Sequence, residues 1–106
     1  LGRTFDVVFS IDVTQHVVEK PKLLKFLGNM QRAATPGGHV FVTSYTGWGD
    51  RCADPKDLAS RLVPAVTFVA FWDLPTIEKG LDRCGLVRTF PFWDKTMLLF
   101  RREAGA

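Results

Sequence analysis

Apolar positions along the chain change period several times, and each change marks an element. Phe5-Asp6-Val7-Val8-Phe9-Ser10-Ile11-Asp12-Val13 is almost continuously β-branched or aromatic, the composition of a parallel strand covered on both faces. After a polar break, Pro21 suits a first helical turn, and Leu23, Leu27, Met30 and Ala34 then recur at helical spacing, with Leu24 and Phe26 widening the stripe. This predicts an amphipathic helix of about four turns. Thr35-Pro36-Gly37-Gly38 ends it, because proline lacks the donor the next turn needs and glycine tolerates positive φ. His39 to Thr43 follows as a second strand. Strand, helix and strand in this succession make a βαβ unit, with parallel strands and a right-handed crossover.

The middle of the chain is less periodic. Tyr45 to Trp48, with Gly47 and Gly49, reads as a loop, Asp54 to Leu62 as a short helix, and Pro64 to Trp72 as an apolar, aromatic connection. Asp73 is placed as an N-cap before Leu74-Pro75, and Ile77, Leu81 and Cys84 form the inner face of a helix closed by Gly85. Leu86 to Trp93 and Thr96 to Phe100 read as an antiparallel hairpin turning near Asp94-Lys95, and Arg101 to Ala106 as a frayed tail. Phe90, Phe92 and Trp93 read as hairpin packing. There is no internal repeat and no low-complexity segment.

The chain's 106 residues suit one domain, residues 1–106, with a modest core. With 46% hydrophobic and 24% charged residues, disorder, collagen and coiled coil are excluded. No apolar run reaches the roughly 18 residues of a membrane span, and no signal peptide is visible before Phe5. The formal charge of +3 is spread from Arg3 to Arg102 without a basic run, which reads as a solvated surface and not as a nucleic-acid footprint. Cys52 and Cys84 form neither a CxxC pair nor a metal spacing, so they read as free thiols in a reducing, cytoplasmic setting, and no metal is expected.

Phe5 to Ser10 followed by Gln15-His16, a helix, Pro36-Gly37-Gly38-His39-Val40-Phe41-Val42, and then Trp72-Asp73 opening a helix that closes on Cys84-Gly85-Leu86 resembles the class I S-adenosylmethionine-dependent methyltransferases. The resemblance runs from about Phe5 to Phe100 and covers the second half of that fold. It implies an α/β, Rossmann-like sheet with two parallel strands joined by a crossover helix, a C-terminal antiparallel hairpin, and the spatial order 1-2-4-3 for the four strands. The family's glycine-rich cofactor loop and ribose-binding acid belong to its first two strands, and neither has a counterpart here. Gly37-Gly38 follows a helix and precedes a strand, the wrong polarity for a nucleotide-cradling loop.

By the resemblance, the carboxyl end of the first strand forms part of the cofactor wall, which places Ser10 and Ile11 against S-adenosylmethionine. It makes Asp12 a carboxylate that orients the acceptor and His16 a candidate base, needed only if the acceptor loses a proton. Asp12 reads equally as a strand-end residue capping backbone donors, and His16 as a polar histidine at a helix entry. Tyr45, Trp48 and Trp72 fall where the family lines a small-molecule acceptor pocket, although aromatics in a small domain are commonly core. The chain alone is expected to bind the cofactor weakly or not at all and to be inactive. Two other readings stand beside the truncated enzyme. One is a non-catalytic interaction module that pairs through the Phe5 to Val13 strand with a second copy or with a complementing N-terminal half. The other is a fragment of a different doubly wound enzyme such as a reductase.

Overall fold

A computed structural model of the chain describes residues 3–17, 19–47, 50, 70–93 and 95–104. Strand β1 spans Phe5–Ser10, helix α1 Lys20–Ala33, strand β2 Ala34–Ser44, helix α2 Leu74–Gly80, strand β3 Cys84–Phe92 and strand β4 Lys95–Arg102. A short 3-10 turn, Thr14–His16, links β1 to α1. The four strands form one sheet in the order β1-β2-β4-β3, with β1 parallel to β2 and the other pairings antiparallel. The architecture and strand order agree with the expectation from sequence.

Helix α1 has proline in its first turn and turns Leu23, Leu27 and Met30 inward. Helix α2 begins at Asp73, whose carboxylate accepts the Leu74 amide at 2.9 Å, and buries Ile77. The two helices pack with Val40, Val42, Leu98 and Phe100 of the sheet and with Trp72 to form the core. By strand alternation, the opposite face carries Val7 and Phe9 of β1, Phe41 of β2 and Leu99 of β4.

Several expectations need correction. The first strand ends at Ser10 instead of Val13, because Asp12 turns to φ 60° and leaves the extended region. That strand is not covered on both faces. It is the edge of the described sheet, and Phe5, Val7 and Phe9 are 50, 51 and 67% exposed. Thr35 to Gly38 does not separate helix from strand, since β2 begins directly at Ala34. Between the paired positions Phe5–Ala34 and Val7–His39, β1 advances two residues and β2 five, so the turn residues become a bulge inside the strand.

Helix α2 also stops earlier than its apolar spacing suggests. Ile77 and Leu81 are buried as expected, but Cys84 opens β3. Arg101 and Arg102 are not frayed; they complete β4, and the Glu103 amide donates to the Arg83 carbonyl at 3.0 Å. The expected helix at 54–62 and nearly all of the connection before Trp72 lie outside the described residues. Among the described residues no helix is long and apolar enough to cross a membrane.

Candidate functional site

The carboxyl ends of β1 and β2 and the start of β4 meet at one end of the sheet, the edge where open parallel sheets present ligand-binding groups. The chain leaves β1 through Asp12, whose left-handed backbone is uncommon for a residue other than glycine and is a recurrent mark of functional sites. Thr43 of β2 fixes this conformation from two sides. Its Oγ1 accepts the Asp12 amide at 2.8 Å, and its carbonyl accepts the Thr14 hydroxyl at 2.7 Å.

The Asp12 side chain is thereby presented to Lys95, the first residue of β4, with Nζ 2.9 Å from Oδ1. Only 10% of the Lys95 side chain is exposed, so its charge is largely out of water and depends on such partners. The ammonium also lies 4.9 Å from the centre of the Tyr45 ring, and Tyr45 in turn stacks at a tilt against Phe71, with centroids 4.8 Å apart. A carboxylate, an ammonium and an aromatic ring thus meet where the first two strands end. The β3–β4 hairpin turns at the same end, and its Trp93 is 91% exposed at φ 59°. Trp93 is therefore a rim residue and not hairpin packing, while Phe90 and Phe92 are half-buried.

Ser10 is buried under the helices, and among the described residues its hydroxyl has no hydrogen-bond partner. Ile11 beside it is exposed. His16 is exposed at the end of the 3-10 turn and opens onto a shallow depression of about 380 Å³ lined also by Val17, Glu19, Lys22 and Phe26. The depression that His16 lines does not include Asp12. Trp72 is fully buried, and its indole N–H is shared between the carbonyls of Thr14 at 3.1 Å and Val17 at 2.8 Å. It holds the turn that follows Asp12 from below. Trp48 lies outside the described residues.

A second carboxylate network anchors this end of the molecule. Asp50 accepts the Asp73 amide at 2.9 Å and the Thr76 hydroxyl at the start of α2, and pairs with Lys20 of α1 at 2.8 Å. Partial burial pushes the Asp50 carboxyl up, but these hydrogen bonds and the Lys20 charge outweigh it and leave the group below its ordinary value of 3.8. A lowered carboxylate stabilises the fold above the unfolded-state value, and the contribution is lost as pH falls through the folded-state value. Asp50→Ala is expected to lower stability by about 1 kcal/mol near neutral pH, the usual cost of a lost helix-terminal acceptor. Thermal melts of both proteins check this, with the difference in Tm closing as pH drops below about 4.

Among the described residues no three His, Cys, Asp or Glu side chains are placed to share a metal ion. Cys84 is a free thiol whose pKa burial pushes up to about 11, with Arg102 opposing and Asp82 and Glu103 reinforcing the rise. It is therefore protonated, and a poor nucleophile, at neutral pH.

No protein-family model matches the chain, and neither does any curated protein. Solved structures do. An O-methyltransferase family protein from Burkholderia thailandensis superposes with a TM-score of 0.70 at 18% identity, over 99% of this chain and 32% of that one. The fold is a methyltransferase fold. The N-methyltransferase NodS from Bradyrhizobium japonicum WM9, solved in complex with S-adenosyl-L-homocysteine, superposes with a TM-score of 0.62 at 16% identity, over 96% of this chain and 48% of its own. The chain thus spans between a third and a half of the length of these methyltransferases.

Proposed function

We propose that the chain is the C-terminal part of an S-adenosylmethionine-dependent methyltransferase that acts on a small-molecule acceptor. The observation that carries this reading is the antiparallel β4 inserted between β2 and β3, in a sheet that superposes over nearly all its length on methyltransferases of both O- and N-methylating description. The cofactor would supply the methyl group. Of the residues described, the orphaned Ser10 hydroxyl and the exposed Ile11 side chain fit one wall of its site. Asp12, held by Thr43 and Lys95, orients the acceptor, and Tyr45 and Trp93 provide aromatic surface around it. Transfer of a methyl group between aligned partners depends chiefly on such positioning. His16, on its own surface, serves as a base only for an acceptor that reaches it.

The chain alone is incomplete as a cofactor site in this reading. S-adenosyl-L-homocysteine is expected to shift the amides of Ser10, Ile11 and Asp12 in a nitrogen-15 NMR titration with a Kd of about 1 mM, equivalent to roughly 4 kcal/mol. Shifts confined to other regions would remove the assigned wall. A micromolar Kd by calorimetry would show that the chain holds a complete site.

A second reading, an interaction module, is favoured by Phe5, Val7 and Phe9, which alternate along β1 at the edge of the described sheet and are all exposed. An edge strand with an apolar face is a template for pairing. In isolation the row is covered by a second copy of the chain, and beside a companion segment carrying the rest of the sheet, by that segment. Sedimentation at micromolar concentration should report a dimer or larger species. A monomer whose Val7 to Ile11 amides exchange freely would exclude this reading.

A further inference from the structure

At the opposite end of the sheet from Asp12, the carboxyl-terminal ends of α1 and α2 and the end of β4 enclose a cleft of about 510 Å³. Its walls carry Arg32 from α1, Lys79 from α2, Arg83 from the turn after α2 and Arg102 from β4, against the single carboxylate of Asp82. The positive charge that looks scattered in the sequence converges here: the lining nets +3, as much as the formal charge of the whole chain. Among the described residues the ion pairs are Lys20–Asp50, Lys22–Glu19 and Lys95–Asp12, so none of the four cations of the cleft is neutralised by a carboxylate within 4 Å.

Helix ends explain only part of this concentration. Each helix carboxyl terminus carries about half a negative charge at most. Two termini and Asp82 offset about two of the four positive charges. Glu103, close enough to act on Cys84 and not part of the lining, reduces the surplus further without removing it. Arg102 is committed to structure, since its guanidinium donates to the Ala34 carbonyl at the end of α1. Arg32 is hydrogen-bonded to Asn29, and Lys79 and Arg83 are exposed at the mouth.

The walls are also joined rigidly, which a fortuitous surface cluster does not require. The buried Gln31 amide donates to Asp82 at 2.9 Å, while its oxygen accepts the Arg83 amide at 2.7 Å. This ties α1 to the turn that carries Arg83. Gly80 lets the helices approach so closely that a Cβ there would lie 2.8 Å from the Leu27 Cβ. The cleft therefore keeps its shape while the exposed Arg32 and Arg83 reach solvent.

We propose that this cleft binds a small molecule bearing a diphosphate group. The exposed guanidinium groups of Arg32 and Arg83 line one cleft from different elements, and a planar guanidinium matches phosphate oxygens in paired hydrogen bonds; the volume is within the range of small-molecule sites. The assignment is independent of the methyltransferase reading, because the cleft lies at the other end of the sheet from Asp12 and Lys95.

The test is a nitrogen-15 NMR titration of the whole chain with pyrophosphate, with ADP and with sulfate, repeated for the double variant Arg32→Gln, Arg83→Gln, whose fold is checked by its melting temperature. Pyrophosphate is expected to shift the amides of Gly28, Gly80 and Arg83, and the double variant to bind it at least tenfold more weakly. Lys79→Gln, at an exposed position, is a second variant expected to weaken binding if the double variant fails to fold. Equal affinity for ADP assigns the site to the diphosphate alone, and tighter binding of ADP assigns it to a nucleotide; both support the proposal. It is overturned if pyrophosphate shifts no amide of the cleft, if the folded variants bind as well as the parent, if sulfate binds as tightly as pyrophosphate, or if a single-stranded oligonucleotide binds where pyrophosphate does not.

Discussion

Trp72→Ala is expected to destabilise the chain by about 4 kcal/mol, within the usual range for emptying a fully buried aromatic site. A domain of this length has about 5 to 15 kcal/mol in total. A parent at the low end of that range would leave the variant close to its unfolding midpoint. Two effects combine. The indole is fully buried among core residues of both helices and the sheet, so its removal leaves a cavity that packed neighbours close only in part. Its N–H also serves the carbonyls of Thr14 and Val17, which are left without that donor. Trp72→Phe weights the second effect, because it retains most of the side-chain volume while losing the donor; it should cost about 1 to 3 kcal/mol. Urea unfolding followed by circular dichroism measures both values. A loss under 1 kcal/mol for Trp72→Ala would mean that the turn after Asp12 does not depend on this side chain.

Trp72 also illustrates how far the sequence was legible. Its place beside the second strand's outlet was clear from the order of elements, but whether an aromatic residue there lines a pocket or fills the core depends on what lies above it. The helical spacing of Leu23, Leu27 and Met30 translated directly into buried positions, because one amphipathic face has one way to meet a sheet. The spacing of Ile77, Leu81 and Cys84 misled for a physical reason. Local period says nothing of where tertiary hydrogen bonds pull the chain out of the helix, and Gln31, distant in sequence, takes the Arg83 amide and ends the helical path.

The first strand's composition indicated two-sided cover, yet composition records what a strand tolerates on its faces without saying which chain provides it. Hence the exposed row at Phe5, Val7 and Phe9. Lys95 carried no signal by itself, since a lysine beside a turn is ordinary. Only register sets it at the head of the row that continues through Met97 and Leu99, opposite the end of β2 and within reach of Asp12. A charge on an otherwise apolar alternation was the available clue. Trp93 was hidden in the same way, because a tryptophan at positive φ runs against turn preferences for asparagine and glycine.

The second large effect concerns the joint between β1 and β2. Gly38→Ala is expected to cost about 2 to 3 kcal/mol, toward the upper part of the range for an inserted methyl group. A Cβ at Gly38 would lie 2.8 Å from the Asp6 carbonyl oxygen and 2.8 Å from that of Thr35. Both are backbone atoms, so neither moves aside by changing rotamer. Relief requires either opening the parallel pairing at Val7 and His39 or deforming the bulge that begins β2. Because β1 is held on one side only within the described sheet, the weaker response is for β1 to lift away. Amide exchange should then accelerate at Val7 to Ser10 more than in α1 or β4. Gly85→Ala is the control, since a Cβ there meets nothing within 4 Å, and it should be neutral or stabilise by a few tenths of a kcal/mol. If chemical denaturation finds the two variants equally stable, the close approach of β1 to Gly38 is not what sets the register. If Gly38→Ala is destabilised with uniform exchange, the strain spreads through the whole sheet, and the ligand-facing end loses its alignment of Asp12 with Lys95 along with it.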